Sequence, residues 1–430
     1  MKTDNCQMLW DAIIIGGGAS GVMAALSFQK NMLLSGLNEG IILILEKNDR
    51  ILKKVLATGN GRCNITNDDC SLSHFHSHHP EYVSSVMASF SKEDTLSFFQ
   101  DLSIPTVSEG TKRFPESLQA ASVVDALRYA LSDAHVEVQC DTSVKEIKKS
   151  DTGSFTIICD DDAYSAKTVI IASGGACAES FGTTGDGYTW LSTLSHPIYA
   201  PRPSIVQLCT DESAVKPISG QRIKARTMLY EEDNLVAEIE DEVLFVDYGL
   251  SAPAIFYLSG EVSRRMQKGR LIAPMSIVLS LFSSDKNESL LLELQSRRNR
   301  FANREISTIL LGMVSNRISA VLLKSAIRRP MHLKIGTLSD EELMAILSIL
   351  MSWRFPITGT ASLKQAQTTI GGAQMTSFSV QTLESKIVSG LFACGEVLDV
   401  DGDCGGYNLQ WAWSSGYVAG KSASDVVRCL

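Results

Sequence analysis

Residues 10–26 read Trp10-Asp-Ala-Ile-Ile-Ile-Gly-Gly-Gly-Ala-Ser-Gly-Val-Met-Ala-Ala-Leu26. An apolar β-branched run that enters a Gly-x-Gly-x-x-Gly turn and continues in helix-forming residues predicts a strand, a tight turn and a helix. Gly16 permits the turn, Gly18 has no Cβ to obstruct a pyrophosphate, and Gly21 lets the helix pack close to the strand. Backbone amides at the helix start can then bind phosphate. The stretch therefore predicts the seat of a dinucleotide.

A second apolar run supports this prediction. Ile41-Ile-Leu-Ile-Leu-Glu46 is typical of a buried parallel strand, and it ends in an acid. A carboxylate at this place accepts the ribose hydroxyls and disfavours the 2′-phosphate of NADP, so the adenosine belongs to FAD or NAD. The alternative, a glycine turn and an unrelated surface acid, leaves the agreement of strand, helix and acid unexplained. The predicted contacts in this part are Gly16, Gly18, Ala19, Ser20, Gly21, Glu46 and Lys47.

A second glycine-rich loop follows, Lys53-Lys-Val-Leu-Ala-Thr-Gly-Asn-Gly-Arg-Cys-Asn-Ile-Thr-Asn67. Its glycines allow close backbone approach, and its amides and guanidinium offer the polar groups that a flavin pyrimidine edge or an anionic substrate needs. A plain surface turn is the alternative, and it explains the glycines only. The predicted contacts are Gly59, Asn60, Gly61, Arg62, Cys63 and Asn64.

Composition restricts the class of protein. The 430 residues are 44% hydrophobic and carry a formal net charge of −9, with a mean hydropathy of +0.06, which is typical of a folded globular protein of two or three domains. The acidic balance argues against nucleic acid or an anionic membrane as the main partner. Without a signal peptide or an apolar run of about 18 residues, we expect a cytoplasmic protein with a small-molecule substrate.

No metal site is expected. The ten cysteines contain no C-x-x-C pair, which excludes a zinc ribbon. His74, His76, His78 and His79 have no carboxylate among them, and we interpret them as a solvated loop. Asp399, Asp401 and Asp403 lack the terminal bidentate Glu of a calcium loop, and an acid near a ribityl chain or a capping turn is the favoured interpretation.

The order of strands and helices predicts an interrupted domain. Strands are predicted at His135–Cys140, Phe155–Cys159 and Thr168–Ser173, the first and last in the dinucleotide sheet. The pattern then changes to the alternation of barrel strands at Arg222–Tyr230 and Val236–Val246. Helices are predicted after them, at Glu288–Leu294, Ser315–Ala326 and Asp340–Trp353.

Another motif lies near the end, Gly395-Glu-Val-Leu-Asp-Val-Asp-Gly-Asp-Cys-Gly-Gly-Tyr-Asn-Leu-Gln-Trp-Ala-Trp-Ser-Ser-Gly416. It predicts a helix that starts near residues 405–409, whose free amides would face the N1 and O2 edge of a flavin. Trp411 to Trp413 are predicted to be core residues. The predicted contacts are Gly395, Glu396, Asp399, Gly406, Tyr407, Asn408 and Leu409.

Together with Gly16–Gly21, Thr58–Asn67 and Thr184–Gly187, this motif resembles the BaiN-like flavoproteins, often labelled aminoacetone oxidase family FAD-binding enzymes. The resemblance covers nearly the whole chain. It implies a Rossmann-like α/β two-dinucleotide-binding FAD domain, residues 1–190 and 364–430, that holds FAD non-covalently. It also implies an insert at 191–363, with β-barrel strands at about 191–283 and mostly helices at about 284–355. By resemblance Val144, Ser173, Gly174 and Gly175 are further cofactor contacts.

The sequence departs from the family at two places. Asp247-Tyr248 stands where many members have Thr-His, and Ala176–Ser180 replaces a Ser-Tyr-Pro stretch. Any catalytic role of that His is therefore not transferred. The candidates for a catalytic proton donor are Tyr248, Tyr407, Cys404 and Arg113.

The predicted activity is that of an FAD-dependent oxidoreductase, with hydride transfer at flavin N5 and the substrate held between the FAD domain and the insert. By resemblance, the first hypothesis is a reductase of a conjugated C=C bond in a steroid or bile-acid-like compound. NADH or NADPH would be a transient reductant, because no second fingerprint follows a strand. The alternatives are an amine or aminoketone oxidase that uses oxygen, and a non-catalytic or RNA-modifying flavoprotein.

Overall fold

The β-branched run of Ile13 to Ile15 forms the strand that the sequence predicts, at the centre of a sheet. The computed structural model describes residues 8–151 and 153–429. They divide into two compact units, one that runs up to Arg202 and resumes at Gln367, and a second that spans Pro203–Ala366. Both divisions lie later in the chain than the predicted borders after residues 190 and 363.

The strands are numbered in chain order within the described residues. They are β1 Leu9–Ile15, β2 Ile42–Leu45, β3 Thr66–Asn67, β4 Phe75–His76, β5 Thr106–Glu109, β6 Lys112–Pro115, β7 Glu137–Gln139, β8 Val144–Lys149, β9 Phe155–Cys159, β10 Ala163–Ile171, β11 Ile198–Ser204, β12 Leu208–Cys209, β13 Arg222–Glu231, β14 Asn234–Val246, β15 Gly249–Ser251, β16 Met266–Gln267, β17 Arg270–Leu271, β18 Met275–Ser280, β19 Trp353–Ile357, β20 Gly359–Thr360, β21 Thr368–Ala373, β22 Leu391–Ala393 and β23 Asp401–Gly402.

The helices are numbered in the same way. They are α1 Ala19–Leu34, α2 Lys53–Ala57, α3 Pro80–Ser89, α4 Lys92–Asp101, α5 Ala120–Asp133, α6 Asp186–Thr193, α7 Glu212–Val215, α8 Pro253–Arg264, α9 Asn287–Arg300, α10 Asn316–Ala326, α11 Asp340–Met351 and α12 Tyr407–Arg428. Ser91 begins α4 with a capping box, in which its hydroxyl accepts from the amide of Asp94.

The first unit is built on one sheet, in the strand order β7-β2-β1-β10-β9-β8 with β22 also beside β10. The pairs from β7 to β10 and the pair β10–β22 are parallel, whereas β9 and β8 continue antiparallel. Parallel strands bring their carboxyl ends to one edge, where open α/β sheets bind ligands. That edge carries the residues that follow β1, β2, β10 and β22, which include Gly16, Glu46, Ser173 and Gly395.

Helices α1 and α12 pack closely, and two glycines of α12 make this possible. A Cβ on Gly416 would lie 2.4 Å from the carbonyl oxygen of Ser20, and a Cβ on Gly420 would lie 2.0 Å from that of Ala24. The first and last helices of the unit are thereby held together backbone to backbone.

We therefore expect Gly420→Ala to lower the free energy of unfolding by about 1–3 kcal/mol, the usual cost of overpacking. Denaturant titration measures it, with the exposed Lys421→Ala as control. An exposed helical Gly→Ala change ordinarily stabilises by about 1 kcal/mol. A stabilised Gly420→Ala variant would therefore contradict the close approach of the two helices.

The second unit contains a closed sheet in the order β19-β18-β13-β14-β15-β12-β20. Strands β19 and β20 follow each other after one residue and pair with β18 and β12, the two ends of the path. Six strands thus close into an antiparallel barrel, and α9, α10 and α11 lie in the same unit. The predicted fold class, a Rossmann-like FAD domain interrupted by a barrel and helices, is confirmed.

Candidate functional site

The first glycine turn joins β1 to α1 with space left on its outer side. Gly16 has a φ of +110°, and a Cβ there would lie 2.4 Å from the carbonyl oxygen of Ala172. A Cβ on Gly21 would lie 2.0 Å from the carbonyl oxygen of Gly16, whereas one on Gly18 would meet no described atom within 4 Å. The helix that begins at Ala19 has no side-chain cap. Its amides are therefore available to an anion.

Glu46 follows β2 and is 8% exposed. Its Oε2 accepts a hydrogen bond from the amide of Gly17 at 2.8 Å, and its Oε1 accepts from the amide and side chain of Asn48 at 2.9 and 2.6 Å. The amide of Thr142, two residues before Val144, donates to the carbonyl oxygen of Glu46 at 2.9 Å. The acid is therefore fixed beside the glycine turn, with the start of β8 close by.

The second glycine loop exposes its glycine backbone to solvent and buries the side chains that follow it. Gly59 and Asn60 are left-handed and Gly61 has a φ of +80°, and all three are exposed. Cys63 is fully buried, and burial raises the pKa of its thiol to about 12. Asn64 is buried, and its Oδ1 has no hydrogen-bond partner within the described part of the chain. A buried acceptor without a donor at this place fits a hydrogen bond from a bound cofactor.

Asn64 lies next to the start of α12. A Cβ on Gly406 would lie 3.0 Å from the Asn64 Oδ1 and 2.7 Å from the carbonyl oxygen of Thr66, and Gly406 has a φ of +99°. The structure thus brings two predicted segments together that are more than 300 residues apart in sequence.

The start of α12 has no side-chain cap, although Asn408 lies in its first turn. The Asn408 side chain instead accepts from the amide of Gly402 at 2.9 Å and donates to its carbonyl oxygen at 2.7 Å. Leu409 is half-buried. Gly395 has a φ of +76°, and its amide donates to Ser415 Oγ at 2.9 Å. The start of α12 therefore carries no side-chain cap, like the start of α1.

The turn after β10 contains a second unsatisfied group. The buried Ser173 Oγ has no hydrogen-bond partner among the described residues. Gly174 has a φ of +74°, and a Cβ on Gly175 would lie 2.4 Å from Thr369 Oγ1. Ser20, at the start of α1, is also buried, and a Cβ on Gly395 would lie 2.4 Å from its Oγ. The predicted residues after β1, β10 and β22 therefore meet at one edge of the sheet.

Three cationic side chains that were predicted to belong to the site form ion pairs with acids of the protein. Arg62 Nη1 lies 2.8 Å from Glu109 Oε2, and its guanidinium lies 4.3 Å from the centre of the Phe114 ring. The other two ion pairs are Lys47–Asp186 and Arg113–Asp68, each at 2.6 Å. Their acidic partners are distant in sequence, so the sequence analysis could not identify these pairs.

Glu396 forms a partly buried polar cluster. Its Oε2 lies 2.8 Å from Lys54 Nζ, and its Oε1 accepts from the amide of Thr369 at 2.9 Å and from Cys177 Sγ at 3.1 Å. Burial works to raise the pKa of the Glu396 carboxyl, but the Lys54 ammonium outweighs it and the pKa lies below its usual value. Burial raises the pKa of the Cys177 thiol to about 12. The cluster is a charged Lys–Glu pair beside a neutral thiol.

The structure corrects the interpretation of His74 and His76 as residues of a solvated loop. Strand β4 pairs with β23, which places His74 Nδ1 2.9 Å and His76 Nε2 2.8 Å from the two carboxylate oxygens of Asp403. The His74 ring also stacks on Tyr407, with centroids 4.5 Å apart. No acid lies among the histidines in the sequence. Asp403, which is 329 residues from His74 and 327 from His76, contacts both rings in the fold.

His78 and Asp399 form a second pair. The Asp399 carboxylate is 3% exposed, and its Oδ2 accepts from the amide of His78 at 3.1 Å and lies 2.9 Å from its Nδ1. Burial raises the pKa of Asp399, and His78 opposes this rise. The half-exposed His78 ring stacks on Tyr199, with centroids 3.9 Å apart. Asp399 is therefore engaged with a histidine.

Asp403 and His74 make a pH-dependent contribution to stability. Burial works to raise the pKa of Asp403, but His76 and His74 outweigh it and the pKa is lowered. Burial works to lower the pKa of His74, but Asp403 and Asp69 outweigh it and the pKa is raised. The Asp403 contribution is present above its unfolded pKa of about 3.9, and the His74 contribution is present below its unfolded pKa of about 6.5. Both are fully present between about pH 4 and 6.5.

We expect Asp403→Asn to lower the unfolding temperature most near pH 5–6. The difference from the wild type should shrink as pH rises through the raised pKa of His74, and also as pH falls through the lowered pKa of Asp403. Thermal unfolding between pH 3 and 9 measures it, with the exposed Asp101→Asn as control. An equal loss at every pH would contradict the charged pair.

The remaining candidates belong to different units. Tyr407 is buried at the start of α12, and Cys404 is half-buried three residues before it. Tyr248 belongs to the second unit, where it is half-buried and burial raises the pKa of its hydroxyl. Trp411 and Trp413 are buried, as predicted, and their indole N–H groups donate to the carbonyl oxygens of Gly395 and Ile65 at 3.1 Å.

Two features are absent from residues 8–151 and 153–429, a cluster of metal-ligating side chains and a membrane-spanning helix. No set of three or more His, Cys, Asp or Glu side chains in these ranges is arranged to hold a metal ion. None of the helices in the same ranges is long and apolar enough to cross a membrane.

The residues at this edge of the sheet fit a dinucleotide cofactor. Two helices start there without a side-chain cap, and there is space beside Gly18. Two buried polar atoms, Asn64 Oδ1 and Ser173 Oγ, have no partner among the described residues. The fold and site define an FAD-dependent oxidoreductase of the Rossmann type. The chain belongs to the family described as HI0933-like protein Rossmann domain, whose profile matches residues 10–422. The resemblance inferred from the motifs is thereby confirmed.

Two curated relatives match almost end to end. The chain is 31% identical over 413 residues to a 3-dehydro-bile acid delta(4,6)-reductase of Clostridium scindens, covering 96% of this chain and 98% of the relative. It is 26% identical over 417 residues to a ribosomal RNA dihydrouridine synthase of Haemophilus influenzae, covering 96% and 98%.

A solved structure shares the fold. The 3-ketosteroid delta1-dehydrogenase of Sterolibacterium denitrificans, in complex with 1,4-androstadiene-3,17-dione, aligns with a TM-score of 0.51 at 9% identity, covering 97% of this chain and 100% of that chain.

Proposed function

We propose that the protein reduces a C=C bond conjugated to a carbonyl in a steroid acid of the bile-acid type, with NADH or NADPH as the source of electrons. The observation that carries the proposal is the 31% identity to a 3-dehydro-bile acid delta(4,6)-reductase over 96% of this chain. Bound FAD supplies hydride transfer. The protein must bind and orient the cofactor and the enone, and deliver a proton to the carbon beside the carbonyl.

We assign the adenosine and pyrophosphate to the edge formed by the first glycine turn. The amides at the start of α1 would bind the pyrophosphate in the space beside Gly18. The Glu46 carboxylate would accept one ribose hydroxyl, since a carboxylate has about four lone-pair sites and the donors of Gly17 and Asn48 occupy three of them.

We assign the pyrimidine edge of the flavin to Asn64 and the start of α12. The unsatisfied Asn64 Oδ1 would accept from a ring N–H, and the positive end of the α12 dipole would stabilise negative charge on the ring edge. A helix terminus contributes about 1–2 kcal/mol, on the order of 20–40 mV for a two-electron couple. Arg62 and Glu396 have partners within the protein, so we propose for them the positioning of the two loops rather than direct recognition.

Burial and ion pairing reduce the number of candidates for the catalytic proton donor. Arg113 is held by Asp68, and a guanidinium does not release its proton at neutral pH. Tyr407 is buried under His74. Tyr248 and Cys404 keep partly exposed side chains and are the candidates we retain.

A turnover experiment tests the proposal. The purified protein with FAD is incubated with NADH or NADPH and a 3-oxo-Δ4,6 bile acid, and products are analysed by mass spectrometry. We expect hydrogen to be added across the conjugated bonds, whereas a steroid acid with an isolated double bond should be unchanged. Reduction of the flavin by an amine but not by a nicotinamide would support the oxidase alternative and refute the proposal.

A second candidate substrate is uridine in ribosomal RNA. The C5=C6 bond of uracil is also conjugated to a carbonyl, and the relative from Haemophilus influenzae, 26% identical over 96% of this chain, is a ribosomal RNA dihydrouridine synthase. The same incubation with ribosomal RNA, followed by nucleoside analysis for dihydrouridine, distinguishes this substrate from the steroid.

A further inference from the structure

Positive charge is concentrated in one segment of the second unit. Residues 295–334 contain nine Lys and Arg and a single acid, Glu305, which gives a net charge of +8 in a chain whose net charge is −9. The rest of the chain is therefore more acidic than the total suggests. The expectation that nucleic acid is not a partner rested on that total, which conceals the segregation.

Some of these cations have structural roles. Arg297 pairs with Glu293 at 2.6 Å, Arg298 with Asp340 at 2.7 Å, and Arg329 with Glu342 at 3.0 Å. Among residues 8–151 and 153–429, the other six form no ion pair with an acid within 4.0 Å, and all are exposed. These six residues, which we call the basic face, are Arg300, Arg304, Arg317, Lys324, Arg328 and Lys334.

Three members of the basic face surround Phe301. The guanidiniums of Arg300 and Arg304 lie 5.4 and 4.1 Å from the centre of its ring. Lys334 Nζ donates to the carbonyl oxygen of Asn303 at 2.7 Å. A guanidinium that stacks on an aromatic ring is held in place while its N–H edge stays available to phosphate oxygens. The Phe301 cluster is thus a preordered group of phosphate donors.

The other three members of the basic face lie in α10 or just after its end. Arg317 and Lys324 are seven residues apart, two helical turns, so they lie on the same face about 10 Å apart along the axis. Arg328 follows two residues after the helix ends. It is also three residues before Met331, whose carbonyl oxygen accepts from the amide of Ser307 at 3.1 Å. Residues 304–307 and 331–335 therefore lie side by side. They connect the segment that contains Arg328 to the Phe301 cluster.

We infer that the basic face is a docking surface for the phosphate backbone of RNA. The inference rests on the second candidate substrate, for which the reacting uridine belongs to a polyanion. An anionic membrane is disfavoured because stable attachment takes an apolar surface or a lipid anchor in addition to a basic patch. The apolar residues of α10, Ile318, Leu322 and Leu323, are buried in the core of the unit instead.

The test compares two triple variants of the FAD-loaded protein. One is Arg300→Gln/Arg304→Gln/Lys334→Gln, and the matched control Arg128→Gln/Lys145→Gln/Lys148→Gln removes three exposed cations of the first unit. Binding of a fluorescein-labelled fragment of ribosomal RNA is measured by anisotropy across a salt series. We expect the first variant to bind at least tenfold more weakly and with a shallower salt dependence, while the control stays within about twofold of the wild type.

Three results would overturn the inference. They are unmeasurable RNA binding by the wild type, equal weakening in both variants, or tighter binding to phosphatidylserine vesicles than to RNA. Flavin content and unfolding temperature of each variant establish that it is folded. Dihydrouridine formation is scored separately, so RNA binding without modification would reject the second substrate and leave the docking surface supported.

Discussion

A Gly18→Val variant should fold and fail to hold FAD. A Cβ at Gly18 would meet no described atom within 4 Å, and its φ of −80° and ψ of −173° suit a β-branched residue. The apo protein should therefore keep its stability within about 1 kcal/mol, the scale of a helix N-cap change. The added methyl groups would occupy the space that we assign to the pyrophosphate. We expect the dissociation constant for FAD to rise by at least a hundredfold, measured by quenching of flavin fluorescence.

Two matched variants complete this test. Gly110→Asn changes an exposed glycine turn elsewhere in the same unit and should leave FAD binding unchanged. Gly21→Ala would bring a Cβ to 2.0 Å from the carbonyl oxygen of Gly16, so stability and FAD binding should fall together. A Gly18→Val protein that binds FAD as the wild type does would refute our assignment of the pyrophosphate.

Lys54→Met should be among the most destabilising single changes in the FAD unit. Lys54 and Glu396 are 28% and 18% exposed and 342 residues apart in sequence, and their ion pair joins α2 to the segment after β22. Burial opposes the charge on Lys54, but Glu396 outweighs it and the pKa of the ammonium is raised. Removing one partner of a buried pair costs about 3–5 kcal/mol, and the partial exposure here places the expected loss near 3 kcal/mol.

The double variant Lys54→Met/Glu396→Gln separates the pair from its surroundings. Without the ammonium, the Glu396 carboxylate is charged and poorly solvated, whereas a Gln side chain is neutral and can still accept from the amide of Thr369. We expect the double variant to be more stable in urea than Lys54→Met alone, and the cycle completed with the single variant Glu396→Gln should give a coupling free energy above 1 kcal/mol. Additive losses would show that the two residues act independently.

Much of the fold and part of the site could be predicted from the sequence because their signals are local. The strand, turn and helix around Gly16–Gly21 are encoded within 17 consecutive residues, and the acid at Glu46 follows on the next strand. Strand β9 has the predicted bounds, and the helix predicted at Ser315–Ala326 forms as α10 with Ser315 as its N-cap. The bounds of other elements differ from the prediction. Helix α9 extends beyond the predicted end at Leu294 to Arg300, and the apolar pattern did not indicate this part because it is polar.

The partners of the polar residues could not be predicted, because they are distant in sequence. Asp403 lies between His74 and His76 only because β4 pairs with β23. Likewise, Arg62 is held by Glu109, which the small sheet β3-β6-β5 brings near the second glycine loop. Charge totals fail for the same reason, since the net charge of −9 carries no information on where the basic face lies.

The most direct test of the proposed activity is the anaerobic reoxidation of the reduced protein by an enone. The FAD-loaded protein is photoreduced in the absence of nicotinamide and oxygen, then mixed with a 3-oxo-Δ4,6 bile acid while the flavin absorbance is followed. We predict that the absorbance returns in proportion to the enone added, with one equivalent of reduced bond for each flavin. A flavin that stays reduced with the enone and is reoxidised only by air would contradict the account.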